Sequence, residues 1–276
     1  MPSWQSWRRL GVLLLLAAML GFILGPFLWQ VITALKPTAE LAQLPPLLPS
    51  RPTGQHFVTV LGTPGFLRVF LNSVVVAGGT VLLVFLLSVP AAYALAKLGL
   101  RGRNPILALL LCLSMFPPIA NVAPLYLLFI RLGIRDSLLG VVLAHSVYTL
   151  PFAVWILTNF FQEIPDDLYR AARVDGCSRL GVLRHIVLPL AVPGMLSVGL
   201  LVFVFSWNEF LYALTLTASE SARTLPVAIS LFPGVHEIPW GEIAAAAVLA
   251  TLPTVLLMFI FQRRIISGLT AGAVKG

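Results

Sequence analysis

Six apolar stretches constrain the fold of this 276-residue chain more than any other feature of its sequence. Each is about 20 residues or longer, the length that an α-helix needs to cross the hydrocarbon core of a bilayer. Hydrophobic residues make up 59% of the chain and charged residues only 10%, too few to cover a soluble domain. We therefore predict an all-α membrane protein that forms one domain over residues 1–276. Its predicted transmembrane helices cover about residues 10–34, 70–96, 105–130, 138–160, 193–216 and 241–262.

The distribution of lysine and arginine predicts the orientation of these helices. Six spans place both termini on the same side, and basic residues accumulate on the cytoplasmic side of a membrane. With cytoplasmic termini, two thirds of the 18 basic residues lie inside. We therefore predict cytoplasmic termini, a cytoplasmic loop at 161–192 between the fourth and fifth spans, and a cytoplasmic tail at 263–276. The same distribution accounts for the net charge of +8 without a nucleic-acid partner.

The loop between the fourth and fifth spans contains the signals of two short helices. Pro165 and the two aspartates after it indicate the start of the first helix, and Gly176 is well placed to end it. The second begins at Ser178 and is ended or kinked by Pro189 and Pro193. Helices of about ten residues are marginal alone in water, so this pair needs a surface to pack on. The base of the chain's own bundle, a separate cytoplasmic protein and anionic lipid headgroups are all candidates.

The sequence "RAARVDGCSRLGVLRHIVLP" in this loop resembles the signature, or EAA motif, of ABC-importer permeases. Ala171, Ala172 and Gly176 match that pattern, as does the "I-x-L-P" that follows, whereas Arg170 stands where the family has glutamate. The resemblance implies that the loop forms coupling helices, which dock into a cleft of a cytoplasmic ATPase. The residues predicted to dock are Arg170, Ala171, Ala172, Asp175, Gly176, Leu180 and Leu183.

Most of the remaining sequence resembles the maltose- and trehalose-type sugar-importer permeases. The segments that carry this resemblance are residues 72–103, 115–145 and 205–217 and the ending "FQRRIISGLTAGAVKG". Within that group the chain is similar to the second permease subunit, whose glycine-rich tail reaches the ATPase pair. The tail residues that match are Gly272, Lys275 and Gly276.

This resemblance implies the partners and the location of the chain. The expected partners are a second homologous permease, an ATPase dimer, an extracellular or periplasmic sugar-binding protein and membrane lipid. The expected substrate is a sugar, a disaccharide such as trehalose or maltose. The expected location is the plasma (inner) membrane of a prokaryote, crossed several times.

No part of the sequence indicates catalysis by this chain. A GxxxxGK[ST] phosphate-binding loop does not occur, so ATP and Mg²⁺ are expected on the partner ATPase and no cofactor on this chain. The two cysteines and four histidines are scattered without the spacing of metal ligands. We therefore predict a non-catalytic subunit that works by alternating access, driven through its coupling helices.

Polar residues inside the apolar stretches are candidates for the substrate path, because such residues are costly in lipid. Asn121 follows a Pro-Pro break in the third span, and the fifth span contains "WNEFLY". A buried contact with the partner permease, or an interfacial aromatic belt, is the alternative. Helix packing is the favoured interpretation of a further polar cluster in the fourth span, and cavity lining is the alternative. That cluster consists of His145, Ser146, Tyr148 and Thr149. The candidates for the path are Asn121, Trp207, Asn208, Glu209 and Tyr212.

The long outer loop at 217–240 is partly apolar and would otherwise be exposed to water. In the family that this chain resembles, such loops help to engage the sugar-binding protein. We therefore expect contacts with that protein at Leu231, Phe232 and Ile238.

Two other classes of membrane protein are alternatives. An ion-coupled secondary transporter or channel subunit needs more paired membrane charges and discontinuous helices, whereas Glu209 is the one central candidate here. An intramembrane enzyme needs a nucleophile with a base, or a set of metal ligands, within its spans. No such set is visible in the sequence.

Overall fold

A computed structural model describes residues 4–41, 47–232 and 238–271, with side chains in 8–41, 47–232 and 238–262. Every regular element within these residues is helical, as predicted. A π-turn at Leu183–Val187 joins the helix Arg179–Val182 to the helix Leu188–Asn208. The helices are α1 (Trp4–Ala34), α2 (Thr38–Leu41), α3 (Gln55–Gly62), α4 (Phe66–Lys97), α5 (Arg103–Ser114), α6 (Pro118–Arg131), α7 (Leu138–Glu163), α8 (Asp166–Val174), α9 (Arg179–Val182), α10 (Leu188–Asn208), α11 (Leu211–Leu216), α12 (Leu225–Ser230) and α13 (Trp240–Ala271).

Five helical segments of the described chain are long and apolar enough to cross a membrane. The third predicted span is divided instead: α5 and α6 meet that criterion only as a pair, bent by 89°. Pro118 opens α6, where its missing backbone N–H leaves no helical hydrogen bond unmade. The predicted six spans are reached when this bent pair counts as one. The five segments are Arg8–Ala34, Phe66–Lys97, Leu138–Glu163, Arg179–Asn208 and Trp240–Gln262.

The fifth span differs from the sequence-based bounds at both ends. It begins at Arg179, inside the loop, and continues through Pro189 and Pro193 without a stop. It ends at Asn208, because Glu209 takes an extended conformation and α11 begins two residues later. The second short helix of the loop is therefore the first turn of a membrane helix.

The chain divides into two compact units, of which the first comprises Met1–Leu67 and Ile229–Leu252. His56 is 1% exposed and lies at its centre. The ring Nε2 donates to the carbonyl of Lys36 at 2.8 Å, while Nδ1 lies 3.1 Å from the Glu242 carboxylate. A Cβ on Gly241 would lie 2.3 Å from the imidazole ring, so only glycine fits there.

The second unit comprises Arg68–Ala228 and Pro253–Gly276. One of its hydrophobic clusters joins α4, α7 and α10 with the loop between the fourth and fifth spans. Another packs α6, α7 and α11 together. The candidate docking loop is thus continuous with the core of this unit. The first cluster includes Val84, Tyr93, Leu157, Phe161, Ala172, Val182, Leu183, Val187, Val198 and Val202.

Candidate functional site

The α8–α9 hairpin (residues 166–182) has the capping signals that its sequence predicts. Gly176 has φ +86°, the left-handed conformation that a helix-ending glycine adopts readily. The N–H of Cys177 donates to the Ala172 carbonyl at 3.0 Å, which completes a Schellman motif. The Ser178 hydroxyl then accepts from the N–H of Gly181 at 3.0 Å and caps α9. The predicted end of the first helix and start of the second are both confirmed.

One face of this hairpin and of the following π-turn is buried in the chain's own core. Ala172 is 5% exposed and Leu183 is 6% exposed. Both pack with Val182 and Val187 against residues of α4, α7 and α10. These two docking candidates therefore need correction: they anchor the hairpin to its own spans, because helical periodicity turns them away from the exposed side.

The other face of the hairpin is exposed and partly apolar. Val174 is 87% exposed and Leu180 is 72% exposed, with no covering residue in the described chain. A Cβ on Gly176 would meet no atom within 4 Å, so the elbow is open to a partner backbone. Arg170 is also on the surface, where its guanidinium lies 3.6 Å from the exposed carboxylate of Asp167. Ala171 and Asp175 complete the exposed docking candidates.

The structure gives Glu209, the predicted central charge of the membrane path, a set of partners within the chain. Its carboxylate lies 2.9 Å from Nε2 of His145, and the side chain is only 8% exposed. It also accepts from the N–H groups of Tyr212 and Ala213, which caps α11. On its other side the His145 ring lies 2.7 Å from the Ser206 hydroxyl. Glu209 therefore joins α7, α10 and α11, and His145 has the packing role that its sequence favours.

Two aromatic candidates for the path are buried as well. Trp207 is 3% exposed and contacts the rings of Phe70 and Phe203, with centroids 5.7 and 5.6 Å away. Tyr212 is 3% exposed, and its hydroxyl donates to the Pro118 carbonyl at 3.2 Å. Both side chains pack between helices and are almost inaccessible to solvent in this conformation.

The two asparagine candidates remain on the surface. Asn208 is exposed, although its amide donates to the Val204 carbonyl of its own helix at 2.7 Å. Asn121 is exposed and lines a cavity of about 470 Å³ at the bend between α5 and α6. Tyr148 and Tyr212 line the same cavity with mostly apolar neighbours. Asn121 is therefore the candidate that best fits a path surface.

Of the outer-loop candidates, Leu231 is 49% exposed, Ile238 is 58% exposed and Phe232 is half-buried. The tail candidates Gly272, Lys275 and Gly276 lie outside the described residues.

The sequence did not predict a role for Lys97 and Tyr93, which contact the hairpin from α4. The available signal was weak: a single lysine at the end of an apolar stretch and a tyrosine one turn before it.

The arrangement of a membrane bundle with a half-buried hairpin agrees with a known protein family. A model described as "Binding-protein-dependent transport system inner membrane component" matches residues 85–270. The chain belongs to this family. The matched residues include the hairpin and most of the helices from α4 to α13. The resemblance that the signature predicts is thereby confirmed.

Three relatives extend this similarity over nearly the whole chain. "Trehalose/maltose transport system permease protein MalG" of Thermococcus litoralis is 40% identical over 270 residues, which is 96% of this chain and 97% of that protein. "Sulfoquinovosyl glycerol transport system permease protein SmoH" of Agrobacterium fabrum is 40% identical over 92% of this chain and 89% of that protein. "Trehalose transport system permease protein SugB" of Mycobacterium tuberculosis is 39% identical over 93% of this chain and 94% of that protein.

Solved structures agree with the fold. A chain from a bacterial ABC transporter involved in the import of the acidic polysaccharide alginate superposes with a TM-score of 0.81. It is 22% identical and the match covers 95% of this chain and 99% of that chain. A second structure of a bacterial alginate ABC transporter, in complex with an alginate pentasaccharide-bound periplasmic protein, gives 0.66 at 16% identity, over 93% of each chain. This chain therefore has the fold of these ABC-transporter chains.

Proposed function

We propose that this chain is the non-catalytic permease subunit of an ATP-driven importer that moves a sugar of the disaccharide class into the cytoplasm. A partner ATPase binds the exposed face of the α8–α9 hairpin. ATP binding closes that partner, shifts the hairpin and switches the membrane helices between inward-open and outward-open packings. A second permease completes the path, and an extracellular or periplasmic binding protein delivers the sugar.

The division of the hairpin into two faces carries this proposal. To transmit movement, the hairpin needs one face packed on the membrane helices and another face free to bind the ATPase. Leu183 fixes the hairpin to the core, while Val174 and Leu180 are exposed. Exposed apolar side chains around an open glycine elbow fit a protein partner, because burying them there is favourable. Trehalose and maltose permeases among the relatives support a sugar as the substrate.

The orientation follows from the same assignment. The basic residues of the hairpin, such as Arg170 and Arg173, lie on the side where the ATPase and the positive-inside rule both require them. With this orientation the exposed residues Leu231 and Ile238 are expected on the outer side, where the binding protein docks. The sugar passes the exposed side chains of Asn121 and Asn208. Glu209 is less accessible to it, because its carboxylate contacts the His145 ring.

Purification of the tagged chain from its native membrane tests the assembly. We expect co-elution with a second permease and two copies of an ATPase, and uptake of a disaccharide from a panel of sugars after reconstitution with the binding protein. Sugar uptake in liposomes by this chain alone would contradict the proposal and favour an ion-coupled transporter.

Carboxylates on the exposed face of the hairpin test the dock directly. We expect Val174→Asp with Leu180→Asp to insert normally but to weaken ATPase association by about tenfold or more, because an interface would then bury unpaired charges. The change is measured as the fraction of ATPase retained on the immobilised permease.

Leu47→Asp is the matched control, because Leu47 is 77% exposed on the connection between α2 and α3. We expect it to retain the ATPase fully. Retention of the ATPase by the hairpin variant as well would exclude the exposed face as the dock.

A further inference from the structure

The C-terminal end of α4 contacts both arms of the α8–α9 hairpin. The ammonium of Lys97 donates to the Ile164 carbonyl at 2.5 Å and to the Asp166 carboxylate at 2.6 Å, which tethers the first arm at its start. The hydroxyl of Tyr93 donates to the Arg179 carbonyl at 2.9 Å, which tethers the second arm at its start. Two side chains one helical turn apart thus hold the two arms from the same helix.

The Lys97 tether is electrostatically favoured at each end. The side chain of Lys97 is 2% exposed, although Asp166 is 66% exposed. The cation lies at the negative end of the α4 dipole and the carboxylate in the first turn of α8, at the positive end of that dipole. Hydrogen bonding from Lys97 lowers the pKa of the Asp166 carboxyl below its ordinary value. A buried ammonium is costly to leave unpaired, so Lys97 is expected to follow its acceptors when the hairpin moves.

Chain connectivity shows why α4 needs such tethers. The hairpin continues directly into α7 through Ile164 and Pro165, and into α10 through the π-turn at Leu183–Val187. Any displacement of the hairpin therefore pulls α7 and α10 through covalent bonds. Helix α4 has no chain connection to the hairpin, and apolar packing against α4 resists sliding weakly because it is not directional.

From these contacts we propose that Lys97 and Tyr93 are positioning residues that make α4 move with the hairpin. They convert the displacement of one docking element into a coordinated shift of three membrane helices. Without them the ATPase still binds and hydrolyses ATP, but α4 lags behind and fewer cycles carry substrate. This proposal rests on the proposed function, because it concerns how the docked ATPase drives the spans.

The test compares uptake per ATP hydrolysed in proteoliposomes that contain the complete complex. For Lys97→Met we expect that ratio to fall by about tenfold or more, because both hydrogen bonds from the charged ammonium are lost. For Tyr93→Phe, which loses only the hydroxyl and its neutral hydrogen bond, we expect a decrease of about threefold to fivefold. Lys97→Arg keeps the charge and the donors, and should restore the ratio to within about twofold.

Two substitutions serve as matched controls. Arg101→Met removes an exposed cation just beyond the same end of α4, and Tyr126→Phe removes a tyrosine hydroxyl from α6. Neither should change the ratio. An unchanged ratio in Lys97→Met, or an equal decrease in Arg101→Met, would overturn the proposal. If Lys97→Met fails to assemble, Tyr93→Phe decides: an unchanged ratio in that variant refutes the tether.

A second measurement needs no sugar and separates this proposal from the proposed function. Spin labels at Leu86 on α4 and Val147 on α7, both exposed, report whether the two helices move with respect to each other. We expect ATP to change the distance between the labels differently in wild type and in Lys97→Met, while Lys97→Arg follows wild type. Identical changes in all three refute the tether alone, whereas a wild-type chain that binds no ATPase refutes the proposed function.

Discussion

At the scale of single residues, Glu209 is a charged side chain in an apolar stretch, and its contacts show which other groups of the chain it binds. A carboxylate in a membrane helix indicates either a substrate path or a buried partner. The nearby imidazole of His145 and two backbone N–H groups satisfy this carboxylate within the chain. Glu209 therefore connects helices in this conformation, while a role of Asn121 in the substrate path stays a prediction.

Substitution of Glu209 tests this role. Glu209→Ala removes one of the two side-chain partners of the buried His145 and the cap of α11, so we expect a loss of about 3 kcal/mol in the free energy of unfolding. Glu209→Gln keeps an acceptor and should lose less. The measurement is denaturant unfolding in micelles, alongside the KM for uptake. A raised KM with unchanged stability would contradict this structural role and favour a contact between Glu209 and the substrate.

Asp136 is a second residue whose role only the structure reveals. It has φ +59°, in the left-handed region, and lies in the turn between α6 and α7. The N–H groups of Ala218 and Ser219 donate to its carboxylate at 2.7 and 2.9 Å. These bonds hold the pKa of Asp136 below its ordinary value, since they favour the charged form. The outer loop is thereby tied to this turn.

The lowered pKa of Asp136 predicts the sign of a pH effect. Its stabilising contribution is complete above the ordinary pKa of 3.8 and is lost as the pH falls through the lower pKa of the folded state. Asp136→Asn keeps an acceptor and tolerates the same backbone conformation, so it removes little besides the titration. We expect the stability difference between wild type and Asp136→Asn to shrink below pH 3.8 in unfolding curves. A difference that is independent of pH would contradict this account.

At the scale of elements, α7 and α10 approach closely at a glycine. A Cβ on Gly194 would lie 2.6 to 2.8 Å from ring atoms of Phe160, closer than real contacts allow. Both helices lead into the hairpin, one at each end, so this contact holds the two helices together next to the hairpin. The sequence shows a glycine after Pro193 but does not reveal the ring that requires it.

We expect Gly194→Ala to lower the free energy of unfolding by about 1–3 kcal/mol, because the ring must move to admit a methyl group. Gly78→Ala on α4 is the matched control, since a Cβ there meets nothing within 4 Å. Thermal unfolding in detergent compares the two. Equal midpoints for both variants would show that Phe160 relaxes freely.

The same scale explains the predicted bounds that differ from the structure. Pro117 and Pro118 indicate a break in the third span, but the 89° bend depends on how α5 and α6 pack. Pro189 and Pro193 predict an end or a kink of the second short helix. The structure shows no end there: the membrane helix continues from Arg179 to Asn208, with a π-turn at Leu183–Val187. In a membrane helix the backbone groups that proline leaves unpaired can be satisfied locally, so proline is a weaker stop signal there than in water.

At the scale of the whole molecule, the chain belongs to a family of inner membrane components and contains no phosphate-binding loop of its own. The surfaces predicted to contact other subunits or the substrate are exposed in the described residues: one face of the hairpin, Leu231 and Ile238, and Asn121 at the edge of a cavity. We expect another subunit or the substrate to cover each of them in the assembled transporter. This is why activity is expected of the assembled transporter and not of the isolated chain.

The amino-acid sequence by itself determined the helical class, the approximate spans, the caps at Gly176 and Ser178 and the family. These depend on composition, on periodicity and on residues a few positions apart, which a linear pattern records. Only the tertiary structure decided that Ala172 and Leu183 face inward, that Glu209 pairs with His145 and that Lys97 contacts the hairpin. Such partners lie many tens of residues away along the chain, and only packing brings them within the few ångströms over which hydrogen bonds form.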